Sequence, residues 1–178
     1  MTRDQIEKRL RTEISQQLGI PEDAVKVCNQ YRNILGYSDP VMATVYSAMD
    51  VLSSATMGEG FGVPIIEAQA CGVPVIVGDW TSMPELVGAG WTVSAHERVL
   101  TPMGAYQYLP TVEGVLEAME AAYAARGDSA LRLAARAKAE EYDADTVTER
   151  YWIPALARIN EQLTPSKRGH VAPEVIAA

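Results

Sequence analysis

Two short apolar runs, each preceding a glycine-containing loop, constrain the fold of this chain more than any other feature. The first run is residues 51–54, and the second is residues 74–77, which is almost all β-branched. Continuous apolar runs of this length are typical of strands buried on both faces of a parallel sheet. Between them, Pro64 marks a helix that runs to about Ala70, with Gly72 as its C-terminal cap. This order predicts an α/β fold with an open parallel sheet and flanking helices.

Further elements are predicted around this unit. Asp39 followed by Pro40 is expected to cap and start a helix, and residues 91–93 form a third strand candidate. Residues 94–110 show no clear period, so they form either a functional loop or a hairpin. From Thr111 onward the pattern is helical, with helices over 112–125, 129–141 and 146–163. Pro154 is expected to kink the last helix because proline removes a backbone donor.

The chain divides into three predicted regions. Residues 1–24 are an amino-terminal amphipathic helix with apolar residues at i, i+4 steps, capped by Thr2 with Gln5 and stopped at Gly19. Residues 25–163 are the α/β domain, which opens with strand candidates at 25–28 and 34–35. Residues 164–178 mix proline, glycine and charge and are expected to be a flexible tail. The apolar residues of the first helix are Ile6, Leu10, Ile14 and Leu18.

Charge and composition exclude several functional classes. The chain has 178 residues, with 15 Lys and Arg against 23 Asp and Glu, a net charge of −8. This balance argues against nucleic acid as a partner, since phosphate neutralisation needs clustered basic residues. No apolar run reaches the length of a transmembrane segment, and the charged start lacks a signal-peptide centre. Cys28 and Cys71 have no metal-ligand spacing. The expectation is a cytoplasmic protein without a metal.

The glycine-rich loop at residues 57–62 is where ligand chemistry is expected, because ligands of open parallel sheets bind beyond the carboxyl ends of the strands. Gly60 and Gly62 allow close approach of a ligand or a positive φ. Pro64 fixes the helix start, so the amides of Phe61, Gly62 and Val63 are unpaired donors there. Such donors suit a phosphate or diphosphate.

Two glutamates flank this phosphate-binding candidate. Glu59 precedes the helix and Glu67 lies about one turn into it. A carboxylate can accept two neighbouring hydroxyl donors, so each glutamate suits a vicinal diol on a sugar or a ribose. A lone glutamate near a helix start more often only complements the helix dipole. Amides for phosphate together with carboxylates for diols describe a nucleotide sugar.

The motif resembles that of a known enzyme family. The pattern Glu59-Gly-Phe-Gly-x-Pro-x-x-Glu67-Ala, followed by Ala70-Cys-Gly-x-Pro-Val-Ile, is similar to the carboxyl-terminal donor-binding domain of retaining glycosyl transferases of group 1 (family 4). Tyr46-Ser-Ala-Met-Asp50 and Met83-Pro-Glu-Leu-Val-Gly88 extend the similarity, which covers about residues 34–163. The resemblance implies a Rossmann-like domain of the GT-B fold that binds a nucleotide diphosphate sugar, such as a UDP- or GDP-sugar.

The resemblance also implies a role for each matching residue. Glu59 contacts the transferred sugar, and Glu67 holds the ribose. The diphosphate is held by the amides between them, at Gly60, Phe61, Gly62 and Val63. The family uses no metal, because amides and basic side chains stabilise the leaving diphosphate.

Parts of the family pattern are not found in this sequence. An acceptor domain and a basic phosphate loop should precede Glu59 by far more than 58 residues. The chain is therefore expected to be a fragment, with about two thirds of a donor domain, and to be inactive alone. A second chain supplying the acceptor domain and a homo-oligomer are the expected partners. The alternative is a non-catalytic binding or assembly module derived from a glycosyltransferase.

The remaining candidates have ordinary structural interpretations. His96 and His170 are expected at the surface, and Cys71 is expected to be a buried thiol. Residues 79–82 either border the same ligand site or form a simple polar loop, and the sequence slightly favours the polar loop. Trp152 is expected to be a packing anchor.

Overall fold

The computed structural model describes residues 2–26 and 36–163. The chain divides into two compact units, residues 1–42 and residues 43–178. The first unit contains helix α1 (Arg3–Leu18) and a 3₁₀ turn (Glu22–Ala24). Helix α2 (Asp39–Ser47) begins in the first unit and ends in the second.

The second unit is an α/β domain. Its strands are β1 (Leu52–Ser54), β2 (Val75–Gly78), β3 (Gly90–Val93), β4 (Ala95–Leu100) and β5 (Tyr106–Pro110). Its helices are α3 (Val63–Ala70), α4 (Met83–Leu86), α5 (Val112–Ala124), α6 (Ser129–Glu140), α7 (Ala144–Val147) and α8 (Ile153–Gln162). A π-helical turn (Thr148–Trp152) joins α7 to α8.

The central sheet is parallel, in the order β1-β2-β3. Ser53 pairs with Ile76, and Ile76 pairs with Trp91. Every residue of β2 is buried, as expected for the middle strand of a sheet that helices flank. Ile76 packs in one cluster with Val93 of β3 and with Ala118 and Ala122 of α5. The predicted Rossmann-like α/β fold is confirmed.

Residues 94–110, for which loop and hairpin were both open, form a hairpin. Strands β4 and β5 are antiparallel, with Arg98 opposite Tyr108 and Leu100 opposite Tyr106. The turn is closed by a hydrogen bond from the Thr101 N–H to the Ala105 carbonyl (2.8 Å). Gly104 takes a positive φ of 75° in this turn, a conformation that favours glycine. His96, as expected, is exposed on β4.

The helix ends follow the sequence signals closely at α1 and less so at α2. Thr2 and Gln5 form the predicted capping box, and Gly19 ends α1 in the left-handed conformation. The predicted cap at Asp39 is wrong by one residue, because α2 begins at Asp39 itself. The N–H groups of Val41 and Met42 both donate to the Ser38 carbonyl, so Ser38 takes the capping position.

The predicted helix over 146–163 is interrupted upstream of its proline. Pro154 is the second residue of α8, a position where its missing N–H costs little. The π turn before it carries a bond from the Ile153 N–H to the Thr148 carbonyl. The packing role predicted for Trp152 is wrong within the described residues, since its side chain is 59% exposed and no residue of the π turn that carries it is buried. Cys71 is only half-buried, because it lies just beyond the end of α3.

Several sequence predictions lie outside the described residues. Of the strand candidate at 25–28, only Val25 and Lys26 are described, and neither is in a strand. The Val25 N–H instead donates to the Glu22 carbonyl at the end of the 3₁₀ turn. The candidate at 34–35, Cys28, His170 and the tail from residue 164 are not described. Within the described ranges, no helix has the length and apolarity needed to cross a membrane.

Candidate functional site

Two loops meet at the carboxyl end of the parallel sheet. Residues 55–62 follow β1, and residues 79–82 follow the neighbouring strand β2. Because β1 and β2 are parallel neighbours, their carboxyl ends lie at the same sheet edge. The glycine-rich loop predicted to carry the chemistry is therefore the first of these two loops.

Three contacts from residues 81 and 82 fix the backbone around Glu59. The Glu59 N–H donates to the Thr81 hydroxyl (3.2 Å). The Ser82 hydroxyl lies 2.7 Å from the Phe61 carbonyl and 3.2 Å from the Glu59 carbonyl, and these two acceptors share its single proton. Residues 79–82 therefore form a polar loop that also holds the glycine-rich loop in place. Thr81 itself has a φ of 57°, a conformation that costs a β-branched residue free energy and that clusters at functional sites.

The Glu59 carboxylate is held as well. Its Oε1 accepts a hydrogen bond from the Thr56 hydroxyl (3.1 Å), and the residue is half-buried. The Thr56 carbonyl in turn accepts a bond from the Trp80 indole N–H (3.0 Å). Glu59 thus has a defined orientation after β1, and no donor to its second oxygen is found among the described residues.

The start of α3 has the geometry expected of an anion site. Gly62 caps the helix with a φ of 100°, and a Cβ there would lie 2.9 Å from the Ile65 Cδ1. Among the described residues, no hydrogen-bond partner is found for the N–H groups of Phe61, Gly62 and Val63. Gly60 has open space where a Cβ would lie. These free amides lie at the positive end of the helix dipole, where they suit an anion.

Glu67 is exposed on the second turn of α3, as the fifth residue of the helix. The helix dipole acts mainly within the first turn, so this position does not favour a purely dipolar role for Glu67. Its Oε2 accepts a hydrogen bond of 2.9 Å from the Tyr46 hydroxyl of α2. Burial raises the pKa of the Tyr46 phenol to about 12, and its hydrogen bond to Glu67 adds to this rise. Tyr46 therefore stays a donor at neutral pH and orients the carboxylate.

Gln69 connects α3 to the segment between α4 and β3. Its side chain is fully buried. Its Nε2 donates to the carbonyls of Ile65 (3.1 Å) and Leu86 (2.7 Å). Its Oε1 accepts from the N–H groups of Gly88 (2.7 Å) and Ala89 (3.3 Å). All four bonding positions of the amide are used, which fixes the helix that carries Glu67 against the end of α4 and the residues that lead into β3.

The sequence predicted the two glutamates and the amides but not the residues that hold them in place by hydrogen bonds. Tyr46 was quoted only as part of the family pattern, and Thr56 and Gln69 were not singled out. A polar side chain within an otherwise apolar helix is the signal that would have marked Gln69. No sequence signal marks Thr56, because its role depends on where Trp80 lies.

A depression in the surface lies apart from these residues. It has a volume of about 450 Å³ between β3, Thr111 and α5, and includes none of the predicted site residues. In the part of the chain that the structure describes, no three His, Cys, Asp or Glu side chains are grouped to hold a metal ion.

Comparison with known proteins identifies the family. The model of the family described as glycosyl transferases group 1 matches residues 16–107, more than half of the chain. The chain belongs to this family. The resemblance inferred from the glutamate motif (residues 59–76) is thereby confirmed.

Individual relatives match shorter stretches. O-antigen chain mannosyltransferase B of Escherichia coli is 34% identical over 96 residues, which is 48% of this chain and 25% of the relative. D-inositol 3-phosphate glycosyltransferases of Mycobacterium bovis and Mycobacterium tuberculosis are 39% identical over 59 residues, which is 32% of this chain and 12% of each relative. The matched stretches thus span a quarter or less of these relatives.

Proposed function

We propose that this chain binds a nucleotide diphosphate sugar as the donor-binding part of a retaining glycosyltransferase. The observation that carries the proposal is the grouping of free amides and two oriented glutamates around the start of α3. Glu59 is fixed by Thr56, Thr81 and Ser82 on one side, and Glu67 is fixed by Tyr46 on the other. Preorganised groups of this kind bind without a large ordering cost.

The diphosphate is assigned to the helix start. The N–H groups of Phe61, Gly62 and Val63 are its donors, and Gly60 leaves room for its approach. During transfer, negative charge develops on the leaving diphosphate, and fixed amide dipoles stabilise that charge without reorganising. This part of the proposal uses main-chain groups, so it depends on backbone geometry more than on side chains.

The ribose is assigned to Glu67. Its Oε1 and the remaining lone pair of Oε2 can accept the two ribose hydroxyls, while Tyr46 holds the carboxylate in place. A carboxylate at this distance along the helix avoids the phosphates bound at the first turn. The resemblance to the family assigns the same role to this position.

Glu59 is assigned to the transferred sugar. In transfer with retention, the acceptor hydroxyl oxygen bonds to the anomeric carbon from the face that the diphosphate leaves. The bond from that carbon to the phosphate oxygen breaks, and the hydroxyl proton passes to the leaving phosphate. Glu59 acts by positioning the sugar through its hydroxyl groups. The relatives named for mannosyl and inositol phosphate glycosyl transfer support a sugar donor, and UDP- and GDP-sugars are the donors proposed for testing.

The proposed assignment of Glu67 is tested by Glu67→Ala. The change removes charge-assisted hydrogen bonds worth about 1.5–3 kcal/mol, so affinity for UDP or GDP is expected to fall about tenfold to a hundredfold. Tyr46→Phe leaves the carboxylate but frees it to rotate, so a smaller loss is expected. Isothermal titration calorimetry with each nucleotide measures both effects.

The matched control for this test is Glu113→Ala, which removes an exposed glutamate from the first turn of α5. This control is expected to lower the free energy of unfolding by ~0.3–1 kcal/mol and to leave nucleotide affinity unchanged. Equal affinities of wild type and Glu67→Ala would refute the ribose role. A wild type that binds neither nucleotide would favour the alternative of a non-catalytic assembly module.

We also propose that the chain associates with a second chain, either a copy of itself or one that supplies an acceptor domain. The outer edge of β1 has no paired strand among the described residues, and the last helix carries an exposed apolar stripe. Unpaired edges and apolar stripes promote association. The stripe comprises Leu156 and Ile159 of α8 together with the residues at its two ends, Trp152 and Leu163.

Light scattering on the purified chain is expected to give a mass that is a multiple of 19.3 kDa. The double change Leu156→Glu and Ile159→Glu is expected to shift the mass to that of the monomer if the stripe forms the contact. A wild type that remains monomeric at high concentration would contradict self-association.

A further inference from the structure

We propose that the hairpin of β4 and β5 is an arm of the donor site, in which Tyr108 and Trp80 are positioning residues for Glu59. This inference rests on the proposed function, because it assigns the sugar contact to Glu59. It adds an element outside the glutamate motif, which ends well before the hairpin begins.

The hairpin contacts the glycine-rich loop directly. The Tyr108 N–H donates to the Met57 carbonyl at 2.9 Å. Tyr108 lies on β5, which pairs with β4 on one side only, so its other edge is free to bond the loop. Met57 is two residues from Glu59. The loop that carries the proposed sugar contact is therefore bonded to the hairpin backbone.

The Tyr108 side chain makes a second contact, to Trp80. Their ring centroids are 5.7 Å apart with an interplanar angle of 16°, an offset stack that aromatic pairs favour. Trp80 is 5% exposed although it lies in a loop. Its indole lies over Gly78, where a Cβ would collide with the ring. The stacked tyrosine and the close approach to Gly78 both restrict where the indole can lie.

Two hydrogen bonds connect Trp80 to the Glu59 carboxylate. Its indole N–H donates to the Thr56 carbonyl (3.0 Å), and the Thr56 hydroxyl donates to the Glu59 Oε1 (3.1 Å). Holding the Thr56 backbone limits its hydroxyl to the positions that its side-chain rotamers allow, and one of these positions bonds the carboxylate. Three contacts thus join the hairpin to the carboxylate. Glu67 is held separately, by Tyr46 of α2.

This separation gives the inference a distinctive test. Free UDP or GDP uses the amides and Glu67, whereas the attached hexose also uses Glu59. The quantity to measure is the affinity of the hexose-linked nucleotide divided by that of the free nucleotide, by calorimetry. Tyr108→Ala is expected to lower this ratio several-fold while changing the affinity for the free nucleotide less than twofold. Tyr108→Phe keeps the stacked ring and is expected to match wild type.

Two further variants keep the test decisive. Trp80→Phe retains an aromatic ring but loses the N–H that holds Thr56, so it is expected to lower the ratio as Tyr108→Ala does. In a Glu59→Gln background, Tyr108→Ala is expected to have a smaller effect than in wild type, because the group it positions is already altered. Circular dichroism melts show whether each variant is folded.

Each outcome has a defined meaning. An unchanged ratio in both Tyr108→Ala and Trp80→Phe overturns the inference and leaves the proposed function intact. Equal losses of affinity for the free and the hexose-linked nucleotide also overturn the inference, since they indicate a general structural effect. A wild type that binds no nucleotide refutes the proposed function, and the sugar-positioning role falls with it. Hydrogen exchange of residues 57–62 then still tests the coupling: faster exchange in Tyr108→Ala than in Tyr108→Phe is expected, and equal rates refute it.

Discussion

Replacing Gln69 by leucine is expected to lower the free energy of unfolding by about 2–5 kcal/mol. Leucine has a similar size but cannot bond, so it leaves the Leu86 carbonyl and the Ala89 N–H without their partners. Both residues are buried, and an unsatisfied buried backbone group costs about 1–3 kcal/mol. Gly88 also loses its acceptor, but this residue is exposed and water can replace it.

Urea unfolding followed by circular dichroism measures this change. Gln107→Leu, at an exposed position of β5, is the matched control and is expected to change stability by less than about 0.5 kcal/mol. Gln69→Glu places a carboxylate oxygen against two carbonyls, so it is expected to destabilise at neutral pH and to recover partly in acid, where the protonated carboxyl regains a donor. A loss of less than ~1 kcal/mol for Gln69→Leu would mean that Gln69 does not hold this segment.

Gly90→Ala is expected to lower the free energy of unfolding by about 3–6 kcal/mol, enough to unfold a marginally stable domain. Gly90 starts β3 with a φ of 146°, which is costly for other residues. An added Cβ would also collide with the Val75 carbonyl oxygen and would lie 2.7 Å from the Val75 nitrogen. These are backbone atoms of the fully buried central strand, so they cannot move aside without breaking the register of β2 and β3.

Gly127→Ala separates the cost of the positive φ from the cost of the Cβ collision. Gly127 also has a positive φ, of 81°, but a Cβ there would meet nothing within 4 Å. This control is expected to cost only the conformational term, about 1–2 kcal/mol. Thermal melts of the two variants, at one concentration, give the comparison. Equal losses in the two variants would show that β3 does not pack against β2 as closely as the structure places it.

The sequence alone determined the class of fold and the location of the candidate site. Short apolar runs separated by a glycine-rich loop and a proline-started helix are typical of parallel strands flanked by helices, which is why β1, α3 and β2 were predictable. The two glutamates and the amides between them were predictable for a related reason. They lie within nine residues, and local spacing around a helix start fixes their relation without tertiary information.

Only the tertiary structure decided how these groups are held. Thr56 and Trp80 are 24 residues apart, and Tyr46 and Glu67 are 21 apart, so neither pair has a local sequence signal. The hairpin at 94–110 was left open because strands that pair only with each other, at the surface, lack the apolar alternation of a buried sheet. Trp152, which the sequence predicted to be a packing anchor near the last helix, lies in the π turn before Pro154 and is exposed. Local chemistry follows from the residue types, whereas orientation depends on which distant segments the fold brings together.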